Sequence, residues 1–269
     1  MTATAFQFDD VTFAYRTQRA LDGISLTIRP GERVALLGAN GSGKSTLLRM
    51  MDALCFPASG TATAFAAPLT EAAFQDDATN YAFRRRVGLV FQNPDVQLFN
   101  PTVSDELAFG PLQLGWEKPK VRCAIDALSA RFGIAHLKDR PPHRLSGGEK
   151  KRVALASVLI TEPDVLLLDE PTAALDPASR ADLVGFLARE LGAGRTVVTA
   201  THDLDIVEDI ADRAIVLAEG RVVADGPVLA ILHDVDLLRR THLVFEHRHS
   251  HGEPPSGGHG HMHSGRQDG

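Results

Sequence analysis

The chain has 269 residues, enough for one large domain or two small ones, and carries a formal net charge of −6. That balance, with a pI near 6.0, argues against a general nucleic-acid binder, and the 44% hydrophobic share is ordinary for a globular protein. No apolar run approaches the ~20 residues needed to cross a bilayer, and the first residues lack the basic and apolar regions of a signal peptide, so a membrane role is expected to run through a partner. Cys55 and Cys123 have no metal-like spacing and sit in apolar sequence. They read as buried free thiols in a reducing cytosol.

In chain order, residues 6–8 and 11–15 read as strand material around an Asp9-Asp10 interruption. Residues 24–28 alternate apolar and polar, and 29–32 form a turn. Residues 33–37 are a short buried strand. Then comes Gly38-Ala39-Asn40-Gly41-Ser42-Gly43-Lys44-Ser45-Thr46, which fits G-x-x-x-x-G-K-[ST], and an apolar helix start follows it. The glycines let the backbone turn tightly and aim N–H groups inward, and the helix adds the positive end of its dipole. Lys44 is placed to reach β- and γ-phosphates, and the Ser45 hydroxyl to hold Mg²⁺. The Ala-rich stretch 61–80 is expected to contain only strand and loop. Residues 87–91 read as a strand, 104–109 and 119–132 as helices, and 146–160 as a helix after a loop with Pro141-Pro142.

The second half alternates strand and helix. The unbroken apolar run 165–168 suits a parallel strand buried on both faces and ends in Asp169-Glu170. A helix is expected over 177–191, capped by Asp176 with Pro177 at its first position. A strand at 196–200 ends at Thr201-His202-Asp203. A helix at 206–211 and a hairpin around Glu219-Gly220 complete the pattern. The fold class is therefore α/β with a mostly parallel sheet, whose functional residues fall at the strand carboxyl ends. Asp169 is placed to hold Mg²⁺ through its water shell, and Glu170 to orient or deprotonate a water. From about 242 to 269 the chain is rich in His, Gly, Ser and Pro and reads as a disordered tail.

Further pieces give a resemblance. Leu145-Ser146-Gly147-Gly148-Glu149 resembles the signature motif of ABC transporter ATPases. Tyr15 matches their adenine-stacking aromatic, although a tyrosine at a strand end is more often packing. Gln92 matches their Q-loop glutamine and Mg²⁺ ligand, Asp176 their D-loop and His202 their switch histidine. The resemblance covers roughly residues 6–233. It implies a P-loop NTPase fold with a parallel core sheet, an antiparallel β subdomain and a helical signature subdomain at about 93–160, within an ATP-binding domain at 1–241. It also implies a dimer of ATP-binding subunits, alike or not, with ATP and Mg²⁺ held between the P-loop of one subunit and the signature motif of the other. His202 would contact the γ-phosphate and fix the water with Glu170. Ser146 and Glu149 also fit a capping box, which is compatible with that role.

Residues 91–111 and 145–152 resemble the energy-coupling-factor branch, closest to its cobalt and nickel importers. That resemblance implies a transmembrane coupling subunit, a substrate-binding membrane subunit and a peripheral position on the cytoplasmic face of the cell membrane. A vitamin importer of the same type, or a soluble ABC ATPase, are the alternatives. Leu98 and Phe99 either anchor the membrane partner or pack the helical subdomain, and Asp95, Asp105 and Glu106 are expected to pair with basic residues of that partner. The strand after Gly60 usually leads to a turn glycine in the family; here the stretch reads Thr61-Ala62-Thr63-Ala64-Phe65-Ala66-Ala67. In the tail, His247, His249 and His251 alternate, as do His259, His261 and His263. Such pairs suit weak binding of nickel or cobalt, or belong to a dispensable biased tail.

Overall fold

The structure is a computed structural model that describes residues 4–190 and 194–244. It opens with an antiparallel pair, β1 (Phe6–Tyr15) and β2 (Gln18–Ile28). Asp9-Asp10 does not break β1. The pairing shifts register between Phe8 and Val11, and Asp10 has φ of 50°, so the two acids form a bulge. Next, β3 (Arg33–Leu37) enters a second sheet and leads through a glycine-rich loop to α1 (Lys44–Met51). The strands β4 (Ser59–Ala64) and β5 (Ala67–Pro68) then return to the first sheet, whose order is β2-β1-β4-β5.

Two helices follow where only strand and loop were expected: α2 (Glu71–Phe74) and α3 (Asp77–Arg84). Each has a side-chain cap. Thr70 accepts from the Ala73 N–H and Asp76 from the Thr79 N–H. Phe74 packs edge-on against Phe83 at 5.0 Å, so aromatic anchors rather than a long apolar stripe hold these short helices.

The remaining strands are β6 (Val87–Val90), β7 (Val165–Asp169), β8 (Thr196–Thr201), β9 (Arg213–Ala218) and β10 (Arg221–Pro227). With β3 they form the order β10-β9-β3-β8-β7-β6, parallel throughout except for the β9–β10 hairpin. The apolar runs reflect burial on both faces. Val34, Leu36, Val165 and Leu167 join a core with the first sheet and α1. Ala35, Leu37, Leu166 and Leu168 join a second core on the other face. That second core takes in the helical segments α4 (Val103–Gln113), α5 (Lys118–Arg131), α6 (Gly147–Leu159), α7 (Pro177–Glu190), α8 (Val207–Ile210), α9 (Val228–His233) and α10 (Val235–Arg240). No helix among the described residues is long and apolar enough to cross a membrane.

The expectation of two buried thiols is corrected. Cys55 is half-buried, and burial pushes its thiol up to about 11. Cys123 is exposed. On α5 the inward face is Val121, Ile125 and Leu128, and two residues beyond Val121 is about 200° around the helix.

The missing turn glycine has a structural counterpart. The β4–β5 hairpin turns at Phe65 (φ 51°) and Ala66 (φ 66°), both in the left-handed region that a type I′ turn requires. Phe65 is held there by packing on Phe6 at 6.2 Å and by the Arg86 guanidinium 3.4 Å from its ring centre. Ala66 is exposed and has no such support. Replacing Ala66 by Gly should therefore raise stability by about 1 kcal/mol. An unchanged or lower midpoint in urea would contradict the strain at this position.

Candidate active site

The site grows from the carboxyl ends of β3, β6, β7 and β8. After Leu37 the chain must leave the sheet and start α1 within six residues. Two glycines make that possible. A Cβ at Gly38 would come within 2.4 Å of the Leu217 carbonyl oxygen and of Ser42 Oγ, and one at Gly43 (φ 108°) within 2.7 Å of the Ala20 carbonyl oxygen. No side chain caps α1. The N–H groups of its first turn, at Lys44, Ser45 and Thr46, are without intrahelical acceptors and face the loop. Ser42 Oγ is buried with no partner among the described residues. This is a concave lining of donors, suited to phosphate.

Lys44 is buried, and its ammonium donates to the Gly38 and Ala39 carbonyls at 2.7 and 3.2 Å. Burial lowers its pKa, opposed by Glu170 and Asp169. Asp169 is the last residue of β7 and is buried. Burial raises its carboxyl above the ordinary range, against the Ser45 hydroxyl that donates to its Oδ1 at 3.0 Å. Ser45 and Asp169 thus present two oxygens side by side.

Glu170 follows at φ 45°, its N–H bonded to the Ala200 carbonyl at 2.9 Å. Its carboxylate has three neighbours. His202 Nδ1 lies 2.8 Å from Oε1, Thr201 Oγ1 donates to Oε2 at 3.2 Å, and Lys44 Nζ lies 3.9 Å from Oε1. His202 is half exposed, and the next turn is capped by Asp203, which accepts from the Asp205 N–H.

Gln92 stands just beyond β6 and is exposed. Together with Tyr15, Asn40, Gly41, Gly43, Lys44, Ser45, Thr46 and Glu170 it lines a cavity of about 330 Å³ over the loop. Tyr15 packs edge-on against Phe13 at 4.9 Å and accepts from Arg49 at 3.2 Å, while leaving 43% of its surface open. A second cavity, of about 570 Å³, flanks Glu170 and His202 and is walled by Leu243 and Val244. His247, His249, His251, His259, His261 and His263 lie outside the described residues.

The signature residues are not brought to the loop of their own chain. None of Leu145, Ser146, Gly147, Gly148 and Glu149 lines the cavity over the P-loop. Ser146 opens α6 with a full capping box. Its hydroxyl accepts from the Glu149 N–H at 3.3 Å, and the Glu149 carboxylate accepts from the Ser146 N–H at 2.7 Å. That backbone bond holds the Glu149 carboxyl below its usual range. Asp176 caps α7, accepting from Ala178 and Ser179 N–H at 3.1 and 3.0 Å.

Leu98 and Phe99 part company. Leu98 is buried with Val103 and Leu107, whereas Phe99 is 66% exposed and packs edge-on against Phe109. The acids expected to pair outside the chain are engaged within it. Glu106 is buried, and one of its oxygens accepts from the Phe99 and Asn100 N–H groups. Asp95 pairs with Lys150 at 2.6 Å, and Asp105 accepts from Thr102 at 2.6 Å. Sequence reasoning missed Lys151, which is buried beneath the site. Its signal was helical spacing. Lys151, Leu155 and Leu159 fall four apart on the inward face of α6, and Lys151 stands between Lys150 and Arg152.

The loop, the paired acids and the histidine at parallel strand ends define a P-loop nucleotide hydrolase. Residues 21–173 match the family model described as ABC transporter. The chain belongs to the ABC transporter family, as an ATP-binding and ATP-hydrolysing subunit. It is 59% identical over 243 residues to the nickel import ATP-binding protein NikO of Rhodobacter capsulatus, covering 89% of this chain and 96% of that one. Its fold superposes with a TM-score of 0.76 on cbiO1 of Clostridium perfringens, part of the ABC transporter complex cbiONQ; the two are 37% identical over 90% of this chain and 95% of that one. The dimeric ATP-binding cassette MJ0796 with ADP and Pi gives 0.74 at 26% identity, covering 83% and 98%.

Lys44→Ala should raise the dissociation constant for ATP by roughly 10- to 100-fold, the loss of one charged hydrogen-bonding partner. Isothermal titration checks it, and unchanged affinity would remove Lys44 from the phosphate site.

Proposed function

We propose that this chain is the motor of an energy-coupling-factor importer of nickel or cobalt ions. The observation that carries the motor is the Glu170 carboxylate, held 2.8 Å from His202 and 3.9 Å from Lys44 at the end of β7. In this reading the Gly38–Thr46 loop cradles the phosphates, with Lys44 on the β- and γ-groups. Tyr15 stacks on the adenine. Glu170 orients the attacking water and takes its proton, while His202 aligns that carboxylate and the γ-phosphate. Ser45, Asp169 and Gln92 offer an oxygen-only donor set of the kind Mg²⁺ prefers. The ion would neutralise charge on the transferred phosphate.

Identity to NikO over nearly the whole of both chains supports nickel as the cargo, and the cbiONQ relative supports assembly with membrane subunits. The site itself is half of a composite. The donors at the N-terminus of α6, from Ser146 to Gly148, would close over nucleotide held by a second ATP-binding subunit, with Asp176 at the same joint. The capping box would open as that contact forms. Docking to the membrane subunits falls to the exposed pair Phe99 and Phe109, with Leu98 packed behind them in the core.

The test is uptake of radioactive nickel and cobalt, with a vitamin as control, in cells that carry the complete transporter. The wild-type chain should support metal uptake. Glu170→Gln should keep ATP binding but lower hydrolysis by roughly 100-fold or more, and uptake should vanish with it. Phe99→Ala should leave the ATPase of the isolated chain near its normal rate while uptake falls, because an exposed aromatic at an interface centre contributes about 2 kcal/mol or more. Uptake of vitamin but not metal would overturn the cargo, and hydrolysis by the Glu170→Gln chain at the normal rate would overturn the mechanism.

A further inference from the structure

One buried cation has no part in the chemistry above. Lys151 sits in the second turn of α6 and is 5% exposed. Its ammonium donates to two backbone carbonyls, that of Gln92 at 2.5 Å and that of Glu170 at 3.3 Å. These carbonyls lie just past the ends of β6 and β7, which are neighbouring strands. Burial lowers the pKa of Lys151 to about 8, against the pull of Asp169 and Glu170. An apolar side chain would fill this inward position on α6 without the cost of burying a charge. What the ammonium adds is a fixed link between three separate segments.

The link falls where the backbone needs support. Glu170 is in the left-handed region at φ 45°, an uncommon and strained conformation for a residue other than glycine. Its N–H is anchored on Ala200, and its carbonyl accepts from Lys151 and from the Ala173 N–H at 3.1 Å. That turn aims the carboxylate at His202. The same lysine grips the loop that carries Gln92. It also belongs to the helix whose first turn is opened by Ser146, five residues away, or about 7.5 Å along a stiff helix.

We propose that Lys151 is a positioning residue that locks the Gln92 loop and the Glu170 turn to α6, so that contact at the N-terminus of α6 is transmitted to the water-orienting carboxylate. This rests on the roles given to Glu170 and Ser146 above. Lys151 touches no substrate in this account. It acts through the two carbonyls it holds.

The test is steady-state hydrolysis by the full chain, with Lys151→Met and Lys151→Gln, close in volume, beside Glu170→Gln. Methionine removes both donors, and glutamine keeps a shorter, neutral one. The expected order of kcat is wild type, then Gln, then Met, with a fall of about threefold for Gln and at least about tenfold for Met, as a misplaced carboxylate requires. KM for ATP should stay within about threefold, because the phosphate loop is untouched. Equal kcat for the two variants, or a loss shared by KM, would reduce Lys151 to packing and overturn the inference. If the Met chain does not fold, the Gln chain decides alone: lowered kcat at constant KM supports the link, and wild-type kcat overturns it. Near-normal hydrolysis by Glu170→Gln would instead sink the reading of Glu170 itself.

Discussion

The register of the parallel sheet is the constraint on which the site depends. Leu37 pairs with Thr201, Asp169 with Ala200 and Val90 with Leu168, so β3, β8, β7 and β6 end nearly level. The next residues along each strand are therefore neighbours: Gly38 from β3, His202 from β8, Glu170 from β7 and, one residue further on, Gln92 from β6. Burial of both faces fixes that register, because a one-residue slip would exchange Leu36 and Leu167 with the side chains that fill the other core. Four chain segments widely separated in sequence thus meet at one end of the sheet.

Polar groups at these strand ends are buried at a cost, and each is held by a specific partner. Asp169 is held by Ser45, Glu170 by Thr201 and His202, and Lys44 by the carbonyls of its own loop. Burial pushes both Asp169 and Lys44 toward their neutral forms. A bound phosphate and cation would favour the charged forms again, so nucleotide binding and the charge state of the site are linked. The signature residues follow a different logic. Ser146 and Glu149 satisfy each other on an exposed helix end, away from the cavity that holds Lys44. A helix terminus with donors at its surface is suited to a phosphate brought by another molecule.

Much of this was legible in the sequence because the motifs are short backbone devices. The loop from Gly38 to Thr46 needs glycine where a Cβ would strike the Leu217 or Ala20 carbonyl, and the run from Val165 to Leu168 reads as a strand because both of its faces are buried. Features set by tertiary contact were not legible. Leu98 and Phe99 look alike in sequence and differ only in which side of a turn meets the core. Glu106 looks like a surface acid and is consumed by the N–H groups of the turn before its own helix. The helices at Glu71–Phe74 and Asp77–Arg84 are too short to show a period, and Lys151 is masked by the charges on either side of it.

The central proposal is that one chain holds half of a hydrolytic site, with Ser146 serving the nucleotide bound at Lys44 of the facing ATP-binding subunit. The most direct measurement mixes two chains that both carry Glu170→Gln, one with Ser146→Arg and the other with Lys44→Ala. ATP retained through gel filtration is then counted. The account predicts that the mixture retains one ATP per mixed dimer while neither parent chain retains any. Retention by the Ser146→Arg chain alone, or none in the mixture, would contradict it.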